Sequence, residues 1–129
     1  MTEHDYGTRA VDQFLRDQID TVPHLEALLL LWNSRPKPWS IEDMAKGLFL
    51  AKEAAQEILC DLVRLGLIVS GPGDAETYYY EQEKERDQLV GSVDSTYRRE
   101  LIRVSRLIHS KPSAAIREFA RAFRFKKDE

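Results

Sequence analysis

One cysteine, Cys60, stands in 129 residues. It excludes an internal disulfide and any metal site built from several thiolates. Three histidines, His4, His24 and His109, are scattered without the short spacing of a metal motif, so no metal site and no cofactor is expected. Long apolar runs are missing too. The longest, Ala27 to Trp32, is far short of the ~20 residues a membrane span needs. The opening residues lack the basic, apolar and small-residue pattern of a secretory leader, which predicts a cytoplasmic location without membrane association. The Gly71-Pro72-Gly73 cluster has no following Gly-Lys-Ser/Thr, so it is a turn and not a phosphate loop. No nucleophile, base and orienting residue fall together in the sequence, which speaks against an enzyme, and no small-molecule ligand is expected.

What remains is the composition of a globular protein, 43% apolar and 32% charged. The net charge of -3 hides a strong polarity. Residues 1–94 hold 9 Lys or Arg against 18 Asp or Glu, whereas residues 95–129 hold 10 against 4. An acidic body with a basic tail can bind an anion, pair with a copy of itself, or fold the tail onto the body.

The order of elements is readable from caps and periods. Thr8 is a candidate cap for a helix reaching Gln18, with Val11, Phe14 (or Leu15) and Ile19 on one side. Thr21 caps the next helix, and Pro23 falls in its first turn, where a missing N–H costs nothing. That helix runs to about Asn33 and carries Leu around its circumference, as a central core helix does. Pro36 and Pro38 then force an extended connector. Ser40 and Asp43 are spaced as a capping pair, and Trp39 and Met44 as a hydrophobic staple, for a short helix ending near Gly47. A helix over 51–65 has Ala51, Ala55, Ile58, Leu59 and Leu62 as its apolar stripe, and Gly66 is its C-cap. Ile68-Val69 and Thr77 to Tyr80 read as two short antiparallel strands, with Tyr78 and Tyr80 on one side. The acids Glu81, Glu83, Glu85 and Asp87 suit the start of a helix. One long helix is expected from there to about Ile108, with Tyr97, Leu101, Val104 and Ile108 stepping four, three, four. A last helix is expected over 112–123.

This order resembles the winged helix domain of bacterial regulators, with Leu62-Val63-Arg64-Leu65-Gly66-Leu67-Ile68 carrying the second helix of a helix-turn-helix into the first wing strand. The resemblance covers residues 21–80 and implies a mainly α, winged helix-turn-helix fold: a three-helix core, a β-hairpin wing, an N-terminal helix over 1–20 and a helical extension over 81–129. It also implies that the 51–65 helix enters the major groove in those members that bind DNA.

On that helix Lys52, Gln56 and Arg64 are the candidate DNA contacts. They share the outer face with Glu53, Glu57, Cys60 and Asp61, so its charge sums to -1. The wing adds Asp74 and Glu76 and no basic residue. Duplex affinity depends mainly on Lys and Arg neutralising phosphates. The expectation is therefore a non-enzymatic regulator that acts by homodimerisation and by recognising a protein partner. The alternative is a double-stranded DNA-binding transcriptional regulator that also uses its basic C-terminal helices. Tyr97, Leu101, Val104 and Ile108 are the candidate dimer seam. His24 is expected to sit at the surface or at a cap, and Cys60 to be exposed and unreactive among acids.

Overall fold

A computed structural model describes residues 2–71 and 76–110, with side chains from Gly7 onward. Six helices and three short strands follow in order: α1 (Thr2–Gln18), α2 (Val22–Asn33), β1 (Trp39–Ser40), α3 (Ile41–Leu48), α4 (Lys52–Arg64), β2 (Val69–Ser70), β3 (Thr77–Tyr79), α5 (Lys84–Arg99) and α6 (Leu101–Ser110). The predicted last helix and the tip of the wing lie outside the described residues.

Each central helix has a local cause. Thr21 Oγ1 accepts the His24 backbone N–H at 3.3 Å and opens α2. Ser40 Oγ accepts the Asp43 N–H at 3.0 Å and opens α3. Gly66 takes φ +78° just past α4, where a Cβ is disfavoured. Glu83 caps α5 by accepting the Arg86 N–H at 2.8 Å. α2 is the hub. Leu25, Ala27, Leu28 and Leu31 are fully buried, and α3, α4, α5 and α6 all pack on it. Each such Leu contributes about 1.5–3 kcal/mol by leaving water. One buried cluster runs from Val11 on α1 through the helix-turn-helix to Ile108 on α6.

The sheet has the order β1-β3-β2, antiparallel throughout, with Trp39 opposite Tyr78 and Val69 opposite Tyr79. Tyr78 and Tyr80 are buried, as their shared side predicts, and Tyr79 is half-buried. The three-helix core with its hairpin is the winged helix-turn-helix expected from the sequence.

Three expectations need correction. α1 begins at Thr2, six residues before the predicted cap at Thr8. The expected pair of strands is joined by a third, β1, a two-residue strand directly after Pro38 that has no local signal and forms because β3 reaches it. The long helix to Ile108 is broken at Glu100, which has φ -129° and ψ 50°. The break turns α6 onto α1 and α2, where Val104 and Ile108 are 0% and 1% exposed. These two members of the candidate seam are core residues of their own chain.

Candidate nucleic-acid interface

Ala55, Ile58, Leu59 and Leu62 bind α4 to the core, which leaves the opposite face in solvent. Lys52, Gln56 and Arg64 are all exposed there, together with Glu53, Glu57 and Cys60. The structure thus brings the three candidate contact residues onto one face. It also gives both cations a carboxylate. Lys52 Nζ lies 2.8 Å from Glu42 on α3, and the Arg64 guanidinium donates to Asp61 Oδ1. The Lys52 hydrogen bond holds the Glu42 carboxyl below its ordinary pKa, and the same bond raises Lys52. The wing stands beside the C-terminal half of α4. Glu76, Tyr78 and Ser70 join Cys60 and Arg64 around a cavity of ≈ 410 Å³. Burial above all, and then the neighbouring Cys60 and Glu76, pushes the Tyr78 phenol upward.

The expectation for His24 holds at the cap, where its backbone N–H and Nδ1 both meet Thr21 Oγ1, the latter at 2.7 Å, but not at the surface: His24 is 8% exposed, and its Nε2 connects α2 to α4 at 2.8 Å from Asp61 Oδ2, a link the sequence does not signal. Asp61 accepts only, so Nε2 carries the proton of the neutral ring and the Thr21 hydroxyl donates to Nδ1. Burial pushes the Asp61 carboxyl up, but the bonds from His24 and Arg64 outweigh it and hold the group below its ordinary pKa. Thr21, His24 and Asp61 thus form one hydrogen-bonded chain that the sequence does not signal. The Thr21 hydroxyl, however, is committed to capping α2.

The basic residues of α5 and α6 largely serve the fold. Arg103 Nη1 reaches Asp12 on α1 at 3.1 Å, a pairing of body and tail that is one of the three arrangements the charge polarity allows. Arg98 bonds Asp94 and Asn33, and Arg99 lies 3.9 Å from Glu100. Arg106 is exposed. Lys111, Arg117, Arg121, Arg124, Lys126 and Lys127 lie outside the described residues. Of the candidate seam, Leu101 is 49% exposed beside Ile102 at 63%, while the Tyr97 hydroxyl donates to Glu26 on α2 at 3.0 Å. Among the described residues no cluster of His, Cys, Asp and Glu could hold a metal ion, and no helix is long and apolar enough to cross a membrane.

No family model and no curated protein matches the chain. Solved structures do. MepR, a transcription regulator of the Staphylococcus aureus multidrug efflux pump MepA, is 20% identical with a TM-score of 0.55, over 97% of this chain and 89% of that one. Sco5413, a MarR family transcriptional regulator from Streptomyces coelicolor, is 16% identical with a TM-score of 0.55, over 91% and 79%. The fold is the MarR-type winged helix-turn-helix. A mutant of MepR bound to an oligodeoxyribonucleotide matches with 18% identity and a TM-score of 0.55, over 96% of this chain and 88% of that one. The likeness extends beyond the winged helix to the flanking helices of the MarR-type chain.

Proposed function

We propose that this chain is a homodimeric transcription regulator that inserts α4 into the major groove of duplex DNA. The observation that carries this reading is the outward face of α4, with Lys52, Gln56 and Arg64 exposed together on a helix anchored by its opposite side. The fold it shares with an oligodeoxyribonucleotide-bound MepR supports the same use of the helix. The sequence alone ranks a protein partner first; the likeness over nearly the whole chain to transcription regulators reverses that order.

In this reading Gln56 reads a base edge, and Lys52 and Arg64 exchange Glu42 and Asp61 for phosphate or base acceptors. That exchange lowers intrinsic affinity, so further phosphate contacts come from the basic residues after position 95. A second reading keeps α4 as a docking face for a protein. It is favoured by the carboxylates that already occupy both cations.

Fluorescence anisotropy with a pool of genomic duplexes at low salt separates the two. The DNA reading expects saturable binding that weakens steeply with salt and is lost when Lys52, Gln56 and Arg64 are all changed to Ala. Absence of binding at low salt, with the protein folded, overturns it.

A further inference from the structure

The contact between α2 and α4 has a consequence for how strongly α4 holds a polyanion. His24 is nearly buried, with a side-chain exposure of 10%, and it touches a carboxylate that belongs to the candidate DNA face. Asp61 is shared between His24 on one oxygen and Arg64 on the other. The Arg64 side chain is 72% exposed and so is free to move if Asp61 loosens its hold.

Both protonation states of His24 fit this cradle. The neutral ring donates from Nε2 to Asp61 and accepts the Thr21 hydroxyl at Nδ1. When Nδ1 gains a proton, the Thr21 hydroxyl turns and accepts instead, since a hydroxyl is both donor and acceptor with two lone pairs. One lone pair serves the backbone N–H of His24 and the other the ring. Both ring nitrogens of His24 keep a partner in either state. The charge of the face does change. Lys52 and Arg64 against Glu53, Glu57 and Asp61 leave -1, and a charged His24 beside Asp61 cancels it. On α4 the charged and titratable neighbours are Asp61 in contact, Arg64 through Asp61, Cys60 adjacent in sequence and Glu57 one turn back. On the α2 side, Asp20 precedes the Thr21 cap.

We propose that His24 is a proton-operated control on the DNA face: a charged His24 offsets the charge of the Asp61 carboxylate that it already bonds at Oδ2, weakens the hold of that carboxylate on Arg64 at Oδ1, and makes duplex binding tighter as pH falls. The effect on DNA rests on the reading of α4 given above; the effect on Arg64 does not. Histidine is the residue type that changes charge near neutral pH, which is why a proton switch can be built on it. One coupled proton changes affinity by at most about tenfold per pH unit.

The test uses the full chain and His24→Gln, whose amide donates to Asp61 but cannot become charged; a thermal melt confirms that this variant is folded. In the free protein, the Arg64 Nε–H resonance is followed by NMR from pH 8 to 5.5. It is expected to move together with the His24 ring signals in the wild type and to stay still in His24→Gln. Equal movement in both proteins, or none in either, overturns the proposal. Asp61→Asn gives the same test without altering the histidine: it removes the carboxylate, and the Arg64 signal is expected to be independent of pH. A signal in Asp61→Asn that still follows His24 also overturns the proposal. With the genomic duplex pool at fixed ionic strength, wild-type affinity is expected to rise several-fold from pH 8 to 6 relative to His24→Gln. Parallel pH curves overturn the control of DNA binding. If neither protein binds duplex at any pH, the DNA reading fails, and the Arg64 signal still decides whether the proton control exists.

Discussion

The Trp32 and Tyr80 rings meet edge to face, with centroids 5.2 Å apart and planes at 89°, and this contact fastens the end of the wing to the central helix. Tyr80 is fully buried, yet its hydroxyl donates to Asp87 at 2.7 Å, and the Arg86 guanidinium sits 5.2 Å above its ring. Arg35 stacks on the Trp32 ring at 3.5 Å. Tyr80 therefore joins α2 to the start of α5, the point where the winged helix passes into the flanking helices.

Removing the ring should be costly. Tyr80→Ala is expected to lower unfolding free energy by about 3–5 kcal/mol, the usual range for deleting a buried aromatic. Tyr80→Phe keeps the packing but takes the donor from Asp87, for about 1–2 kcal/mol. Urea denaturation of the three proteins measures both. Equal stability of Tyr80→Phe and the wild type would remove the hydrogen bond from the account.

The same hydroxyl predicts a response to alkali. Burial first, and then the bond to Asp87, pushes the Tyr80 phenol up to about 12. Burial and Glu26 push Tyr97 to about 12 as well. Both folded values lie above the unfolded value of 10, so the neutral phenols contribute their full stabilisation below pH 10 and lose it as pH rises toward 12. Unfolding midpoints should fall through that window, and less so in the double variant Tyr80→Phe, Tyr97→Phe. Tyrosinate absorbance should show the two groups ionising late. A titration in which all five tyrosines ionise together near pH 10 would contradict these environments.

What was legible in the sequence was local. The Thr21 and Ser40 caps and the Gly66 turn each depend on residues within one or two turns of each other, and the outer face of α4 on the period of a single helix. The misses have distant or geometrical causes. His24 meets Asp61 across 37 positions, and nothing near either residue signals the other. β1 exists only because Tyr78 lies opposite Trp39. The break at Glu100 left the spacing of apolar residues intact, so the four, three, four pattern continued across two helices with different directions. Leu101 consequently faces solvent although the pattern grouped it with Val104 and Ile108.

Leu48-Phe49-Leu50 reads as a compact apolar turn, but nothing in it signals that the Phe49 ring stands in solvent. Phe49 ends α3 in the left-handed conformation, φ 58° and ψ 45°, and is 92% exposed. A non-glycine residue held there costs of order 1 kcal/mol, and an exposed ring returns nothing to its own fold. Phe49→Gly is expected to raise stability by about 0.5–1 kcal/mol, after allowing for the greater chain entropy of glycine. A chemical denaturation midpoint below that of the wild type would show that the ring supports the turn.

The divided seam makes a sharper prediction about assembly. The proposed homodimer cannot use Val104 and Ile108 without unfolding α6, because both are packed inside the chain. Val104→Ala should therefore cost about 2 kcal/mol of stability and leave the association state unchanged. Leu101 and Ile102 are the exposed apolar residues of α6, and a charge placed on either should do the reverse. Leu101→Glu and Ile102→Glu are expected to keep the thermal midpoint within a few degrees of the wild type and to shift the mass in light scattering from dimer to monomer. The two phenotypes separate a core residue from an interface residue on one helix. A dimer that survives both glutamates would move self-association to another surface, and a monomeric wild type at high protein concentration would remove the homodimer itself.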